Sequence, residues 1–357
     1  MKKFTVVSIY SIIHAVVDMA CAMLIIGILA PKMAGSFNLV VAVFLYNFFA
    51  FAFQLPLGII ADKINKNALV SAAGCFIIII AYFLNMFGIL ACVIAGIGNA
   101  LFHLGGGIDT LNIAKGKASL PGIYVATGAF GLFIGMKCWY LGLNKFYIMG
   151  IVLAICGIAL IWLYKMAKGK FDINNEIPEF EYITKKEQII MYAILIVICI
   201  RGYYSLTLNF DWKTNFTIGL ITVIAVVLGK MLGGIIGDKV GFKKTTTVSL
   251  ILSAILFIFA FDNMICGIIA ILLFNMTMPI TLIVLSNTFN KNKGMAFGMT
   301  TFALFIGTIP PLLGYDTFFF DPVSLCLITT ISAIILYYGI SKYEKLDITN
   351  VDEKWKK

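Results

Sequence analysis

Charge is scarce in this chain: 12% of its 357 residues are Asp, Glu, Lys or Arg, roughly half the share found in a soluble globular domain. With 61% of residues apolar, too little polar side chain remains to cover a water-exposed fold, and the same apolar content excludes a disordered chain. The eight cysteines contain no Cys-x-x-Cys pair, so neither a redox motif nor a zinc knuckle is legible. The sequence also lacks a Gly-x-x-x-x-Gly-Lys-Ser/Thr phosphate loop and a His-Glu-x-x-His helix, which removes nucleotide-driven pumping and zinc hydrolysis. Its net charge of +10 sits on lysines between apolar runs and forms none of the basic stripes a nucleic-acid binder needs. The expectation is a protein that is not an enzyme, has no cofactor, holds no metal and binds no nucleic acid.

What is present is apolar sequence in lengths that match a bilayer. A hydrocarbon core about 30 Å thick takes about 20 helical residues to cross. Twelve runs of that order occur, at 4–30, 37–61, 68–86, 89–111, 119–138, 145–166, 188–208, 216–237, 245–261, 263–287, 295–314 and 322–341. They predict an all-α integral membrane protein with a six-helix bundle at 1–166, a cytoplasmic linker at 167–187, a second six-helix bundle at 188–341 and a cytoplasmic tail at 342–357. Of the 27 basic residues, only Lys32, Lys137, Lys145 and Lys213 fall in loops on the side opposite the N-terminus. The lysine bias therefore predicts a multi-pass protein of the cell inner membrane with both termini in the cytoplasm. Abundant Lys, Ile and Asn beside almost no Arg are consistent with an A/T-rich bacterial genome. Lys2 and Lys3 precede an apolar stretch, but that stretch is too long for a signal peptide and carries His14 and Asp18, so it is taken as the first span.

The two sets of six spans repeat each other. Gly58-Ile59-Ile60-Ala61-Asp62-Lys63 recurs as Gly234-Ile235-Ile236-Gly237-Asp238-Lys239, and Phe130-Gly131-Leu132-Phe133-Ile134-Gly135 recurs as Phe302-Ala303-Leu304-Phe305-Ile306-Gly307. Asn99 in the fourth span has Asn275 as its counterpart in the tenth. Because each set begins on the same side and contains an even number of spans, the repeat is parallel, about an axis along the membrane normal. Such a construction suits alternating access of a small solute.

Gly58 to Lys66 and Gly234 to Lys244 resemble the loop between the second and third spans of the major facilitator superfamily, with Asn65 standing where the second copy has Gly241. The resemblance implies that fold, a monomeric secondary transporter, and a gating role for Gly58, Asp62, Lys63, Gly234, Asp238 and Lys239.

Titratable groups inside hydrocarbon are costly and are candidate functional groups by default. Both histidines and the single arginine fall in spans. His14 and Asp18, four residues apart, share one face of the first span with Ser11; a carboxylate beside an imidazole can hold or pass a proton near neutral pH. Asn99 and His103 share a face of the fourth span, followed by Gly105-Gly106-Gly107 and then Asp109 nearer the cytoplasmic end. Arg201 stands in the seventh span of a chain that otherwise uses lysine, where a guanidinium offers multidentate bonding to an anion. The expectation is proton coupling by Asp18, His14 and His103, driven by the proton gradient. Substrate binding falls to Arg201, Asn99, Tyr203, Tyr204, Asn47 and Asn275, and a gate at the cytoplasmic mouth to Asp109. Structural roles stand beside these: His14 with Asp18, or Arg201 with Asp18, can simply tie helices together, and His103 can serve as a polar contact between helices.

The His-x-x-x-Asp pair, Ala100-Leu101-Phe102-His103 and the mid-span Arg201 resemble the fosmidomycin-resistance-like branch of bacterial efflux proteins. Leu104 follows His103 where that branch carries proline, and the fifth span has no Gly-Pro. The resemblance implies proton-coupled export of a drug or metabolite by rocker-switch alternating access. Proton-coupled uptake or uniport of a small anionic metabolite is the alternative, and a non-transporting membrane sensor or intramembrane enzyme the reading from a different class. Expected partners are a small-molecule substrate and membrane lipid.

Overall fold

In hydrocarbon a backbone amide has no water to pair with, so an apolar run of this length satisfies itself as a helix. The computed structural model describes residues 2–138, 146–167, 183–289, 291–315 and 317–354; most of the connection at 167–187 and Lys145 lie outside them. The described residues are all-α. In chain order the helices are α1 (Lys3–Lys32), α2 (Phe37–Ile64), α3 (Asn67–Phe83), α4 (Ile89–Ala114), α5 (Ser119–Cys138), α6 (Phe146–Ala167), α7 (Lys185–Thr207), α8 (Phe216–Val240), α9 (Phe242–Phe259), α10 (Met264–Thr288), α11 (Lys293–Leu312) and α12 (Pro322–Lys354).

Eleven of these are long and apolar enough to cross a membrane, and the shorter one is α3. Its 17 residues reach only about 25 Å; the 3₁₀ turn Asn85–Phe87 carries the chain further, which is why the apolar run extends to 86. At the other extreme α12 does not stop near 341. Beyond that point Glu344 pairs with Lys243 of α9 at 2.9 Å and the Tyr343 hydroxyl accepts from Asn287 of α10 at 2.8 Å, so polar contacts prolong it.

The chain forms two compact units. The first comprises Met1–Lys115, Ile123–Pro178 and Lys291–Phe305, the second Gly116–Gly122, Glu179–Asn290 and Ile306–Lys357. In the first, α4 packs on α1, α2 and α3, and α6 packs on α1 and α3. In the second the same pairs recur six helices later: α10 on α7, α8 and α9, and α12 on α7 and α9. The sequence repeat is thus a packing repeat. Its glycines show why: Gly135 of α5 lies against the Met19 backbone of α1, and Gly307 of α11 lies against the Cys199 backbone of α7, where in both cases a Cβ would overlap a carbonyl. Small residues let helices approach closely where lipid tails give no hydrophobic drive to associate.

The repeated Gly-x-x-x-Asp segment acts in the same way in each unit. Gly58 lies against the Gly294 backbone, and Asp62 accepts from the amides of Gly294 (2.7 Å) and Met295 (2.9 Å) at the start of α11. Gly234 lies against Ala118, and Asp238 accepts from the amides of Ala118 (2.7 Å) and Ser119 (2.9 Å) at the start of α5. Each carboxylate caps a helix N-terminus, where unpaired amides and the helix dipole both favour negative charge. The helix that carries it ends at a residue of positive φ: Asn65 is left-handed helical at φ +48°, ψ +40°, and Gly241 has φ +100°, ψ +144°. Asparagine tolerates the left-handed region better than other residues with a Cβ, whereas the conformation at Gly241 belongs essentially to glycine.

Candidate functional site

In the first unit, α1 and α4 bring their polar faces together. His14 and His103 point their Nε2 atoms at each other, 2.8 Å apart. Asp18 lies beside both, with Oδ2 3.2 Å from His14 Nε2 and Oδ1 3.4 Å from His103 Nε2. Asn99 Nδ2 donates to Asp18 Oδ1 at 3.2 Å and approaches Cys21 Sγ at 3.6 Å. The two ring planes are set at 89°, an orientation fixed from behind by the backbone: His14 Nδ1 bonds the Tyr124 carbonyl of α5 at 2.7 Å, and His103 Nδ1 bonds the Asn99 carbonyl at 2.9 Å.

Proton bookkeeping follows from those partners. A carbonyl oxygen only accepts, so both Nδ1 atoms carry hydrogen. A hydrogen bond between the two Nε2 atoms then requires one more proton. With that proton the rings would hold three protons on four nitrogens, one positive charge beside the Asp18 carboxylate. His14 is buried, while the Asp18 side chain keeps 19% exposure and that of His103 keeps 12%, so the cluster is approached past the carboxylate.

Space for the cluster comes from Gly128 of α5, where a Cβ would overlap His14 Nε2 and Asp18 Oδ2. Ser11, one turn before His14, is buried with its hydroxyl unpartnered. Asp109 stands apart from the cluster: it accepts from the Tyr10 hydroxyl of α1 at 2.6 Å and from Asn67 of α3 at 2.9 Å, a polar brace across three helices.

In the second unit, Arg201 of α7 is 6% exposed. Its Nη1 donates to the Thr281 hydroxyl of α10 at 3.2 Å, its Nε has no partner, and among the described residues it makes no ion pair. A guanidinium taken out of water with one neutral hydrogen bond is an uncompensated cation, and removing charge from water is costly unless an anion meets it.

Tyr203, Tyr204, Asn47 and Asn275, also expected to bind substrate, each have hydrogen-bond partners of their own. The Tyr203 hydroxyl bonds the Tyr315 carbonyl (3.1 Å) and the Phe319 amide (3.3 Å), and the Tyr204 hydroxyl bonds the Phe319 carbonyl (3.3 Å), so both tyrosines anchor the segment between α11 and α12. Asn47 donates to Val43 O and Asn275 to Ile271 O, each at 2.8 Å on its own helix. Lys63 and Lys239 are exposed at the ends of α2 and α8. Three residues of the site were not marked from sequence as site residues: Tyr124, which contributes a carbonyl that no side-chain pattern reveals; Gly128, whose contribution is an absence of side chain; and Thr281, one hydroxyl among many.

No family model matches the chain, and no curated protein sequence matches it. Solved structures do match, at low identity. FucP, a major facilitator superfamily transporter in the outward conformation, is 12% identical with a TM-score of 0.64, covering 94% of this chain and 99% of FucP. A variant of the E. coli fucose:proton symporter FucP is 11% identical with a TM-score of 0.63 over the same shares. The human organic anion transporter MFSD10 is 10% identical with a TM-score of 0.66, covering 96% of this chain and 100% of MFSD10. The fold is that of major facilitator transporters.

Proposed function

We propose that the protein is a member of the major facilitator superfamily that carries a small anionic solute across the membrane by alternating access, coupled to protons. The observation that carries this reading is Arg201, a buried guanidinium with a free Nε and, among the described residues, no carboxylate partner. An anion is the ligand that compensates such a group, and a planar carboxylate fits its fork. The coupled proton is the one shared between His14 and His103 over ionised Asp18. The likeness to a fucose:proton symporter and an organic anion transporter supports uptake or exchange of a polar solute. Asp62 and Asp238 act in gating through the helix N-termini they cap. Export, as in the fosmidomycin-resistance-like branch, is the second reading, favoured by the His14, Asp18, His103 and Arg201 pattern.

The test is internal pH and labelled-solute flux in proteoliposomes presented with anionic, cationic and neutral solutes in both gradient directions. An anion that moves with protons in wild type is expected to lose proton coupling in Asp18→Asn and to lose flux in Arg201→Gln. Unchanged gradient dependence in Asp18→Asn, or anion flux undiminished in Arg201→Gln, sinks the corresponding assignment. The gradient that drives accumulation decides between uptake and export.

A further inference from the structure

We propose that His14 Nε2, His103 Nε2 and the Asp18 carboxylate form a binding site for one divalent transition-metal ion of the Zn²⁺ or Co²⁺ class. The three donors come from two helices of one unit, and their ligand atoms all lie within 4.8 Å of one another. The two Nε2 atoms are 2.8 Å apart, and each faces a different oxygen of the carboxylate, His14 Nε2 at 3.2 Å from Oδ2 and His103 Nε2 at 3.4 Å from Oδ1. Bonds of about 2.0–2.1 Å to such an ion place neighbouring ligands about 2.9 Å apart at a right angle and about 3.4 Å apart at a tetrahedral angle. The Nε2 pair therefore stands near right-angle spacing, and the carboxylate meets an ion shared with both rings through its two oxygens or by turning one of them inward.

The surrounding groups fit the same purpose. A metal-binding imidazole needs its other nitrogen held by an acceptor, so that the ring is oriented and the coordinating lone pair faces inward. Both rings meet that condition through backbone carbonyls, Tyr124 O for His14 and Asn99 O for His103. Asn99 also steadies the carboxylate. Two imidazoles and one carboxylate suit zinc, cobalt or nickel; magnesium and calcium call for more oxygen ligands than this cluster offers. Three protein ligands leave a coordination position open, the arrangement of exchangeable rather than sealed structural sites. The partial exposure of Asp18 and His103 gives an entry path. No spacing along the sequence reveals such a site because its ligands are split between α1 and α4.

The inference concerns the cluster that the proposed transport cycle assigns to the proton, but it is tested without transport. Metal and shared proton use the same Nε2 lone pairs, so a loaded cluster excludes the proton.

The experiment uses the full chain purified in detergent through an affinity tag that contains no histidine. Co²⁺ is titrated against a chelator of known affinity while its visible absorption is followed, and the Zn²⁺ form is examined by X-ray absorption. One ion per chain with imidazole scattering is expected. Since the chain contains only two histidines, an imidazole signature identifies them without any substitution, so the test stands even if a variant fails to fold. His103→Ala and Asp18→Asn are each expected to weaken Co²⁺ at least about tenfold, the smallest loss usual when a metal site is damaged. An ion bound with no imidazole in its shell, affinity unchanged in His103→Ala, or no binding below millimolar concentration overturns the proposal.

Discussion

Gly128 and Gly131 lie one turn apart on α5, and alanine at the two positions is expected to do opposite things. Either substitution removes a glycine from a helix interior, which by itself stabilises by roughly 0.5–1 kcal/mol. What the new methyl meets decides the rest. At 128 it overlaps His14 Nε2 and Asp18 Oδ2, the tips of two side chains that can turn aside, at a cost of about 0.5–1.5 kcal/mol for an off-rotamer torsion. The two effects nearly cancel, so Gly128→Ala should unfold close to wild type while its 2.8 Å contact between the imidazoles is broken. At 131 the methyl overlaps the Ala15 backbone of α1, which cannot rotate away. Helices α1 and α5 must separate, and overpacking of that kind costs about 1–3 kcal/mol. Gly131→Ala should therefore lose thermal stability. The assay is paired: thermal unfolding of the purified proteins in detergent, and Co²⁺ affinity with proton-coupled flux for the folded ones. A Gly128→Ala protein that couples and binds as wild type refutes the packing of α5 against the cluster. Equal thermal stability of the two variants refutes the distinction between yielding side-chain tips and unyielding backbone.

Arg201→Met is expected to raise thermal stability while abolishing anion flux, because a buried charge without a carboxylate partner is replaced by an apolar chain of similar reach; marked destabilisation would mean the guanidinium is compensated. Asp62→Ala and Asp238→Ala each remove two hydrogen bonds at a helix start and should each cost about 0.5–2 kcal/mol in denaturation experiments; an effect in one and none in the other would break the equivalence of the two copies. Lys213 lies outside the spans, bonded to the Leu208 carbonyl and facing the Phe210 and Trp212 rings, and burial lowers its pKa from 10.5 to about 8. Its unfolded form holds the proton longer than its folded form, so its contribution is full above pH about 10.5 and is lost as pH falls through about 8. Wild type should gain thermal stability relative to Lys213→Met as pH rises through that window, and parallel pH profiles would show that Lys213 is not buried.

The parts legible in the sequence are those set by composition or by period. Apolar length marked the spans, and missed mainly where polar contacts prolong α12 and where α3 stops at Phe83. Helical spacing placed His14 with Asp18 and Asn99 with His103, and the structure joins the two pairs into one cluster. The cost of burying an ionisable group singled out Arg201, though its hydrogen-bond partner Thr281 carries no signal of its own. Five neutral residues were expected to bind substrate on polarity alone, and one of them, Asn99, bonds Asp18 in the cluster. Asn47 and Asn275 bond their own helices, and Tyr203 and Tyr204 bond the segment after α11, because a lone amide or hydroxyl takes the nearest backbone acceptor. The carbonyl of Tyr124 and the bare Cα of Gly128 have no side-chain pattern to announce them.

The aspartate that caps α11 sits 232 residues before its partner in the chain, and the one that caps α5 sits 120 residues after its own. At about 5–20 residues per second of synthesis, Asp62 waits on the order of 10–50 s at the membrane before Gly294 exists. During that interval the early helices can pack on one another, but the first unit lacks the stretch from Lys291 to Phe305 that belongs to it. Neither half of the chain therefore holds every residue of one compact unit, and the first unit is complete only when the ribosome has passed Phe305.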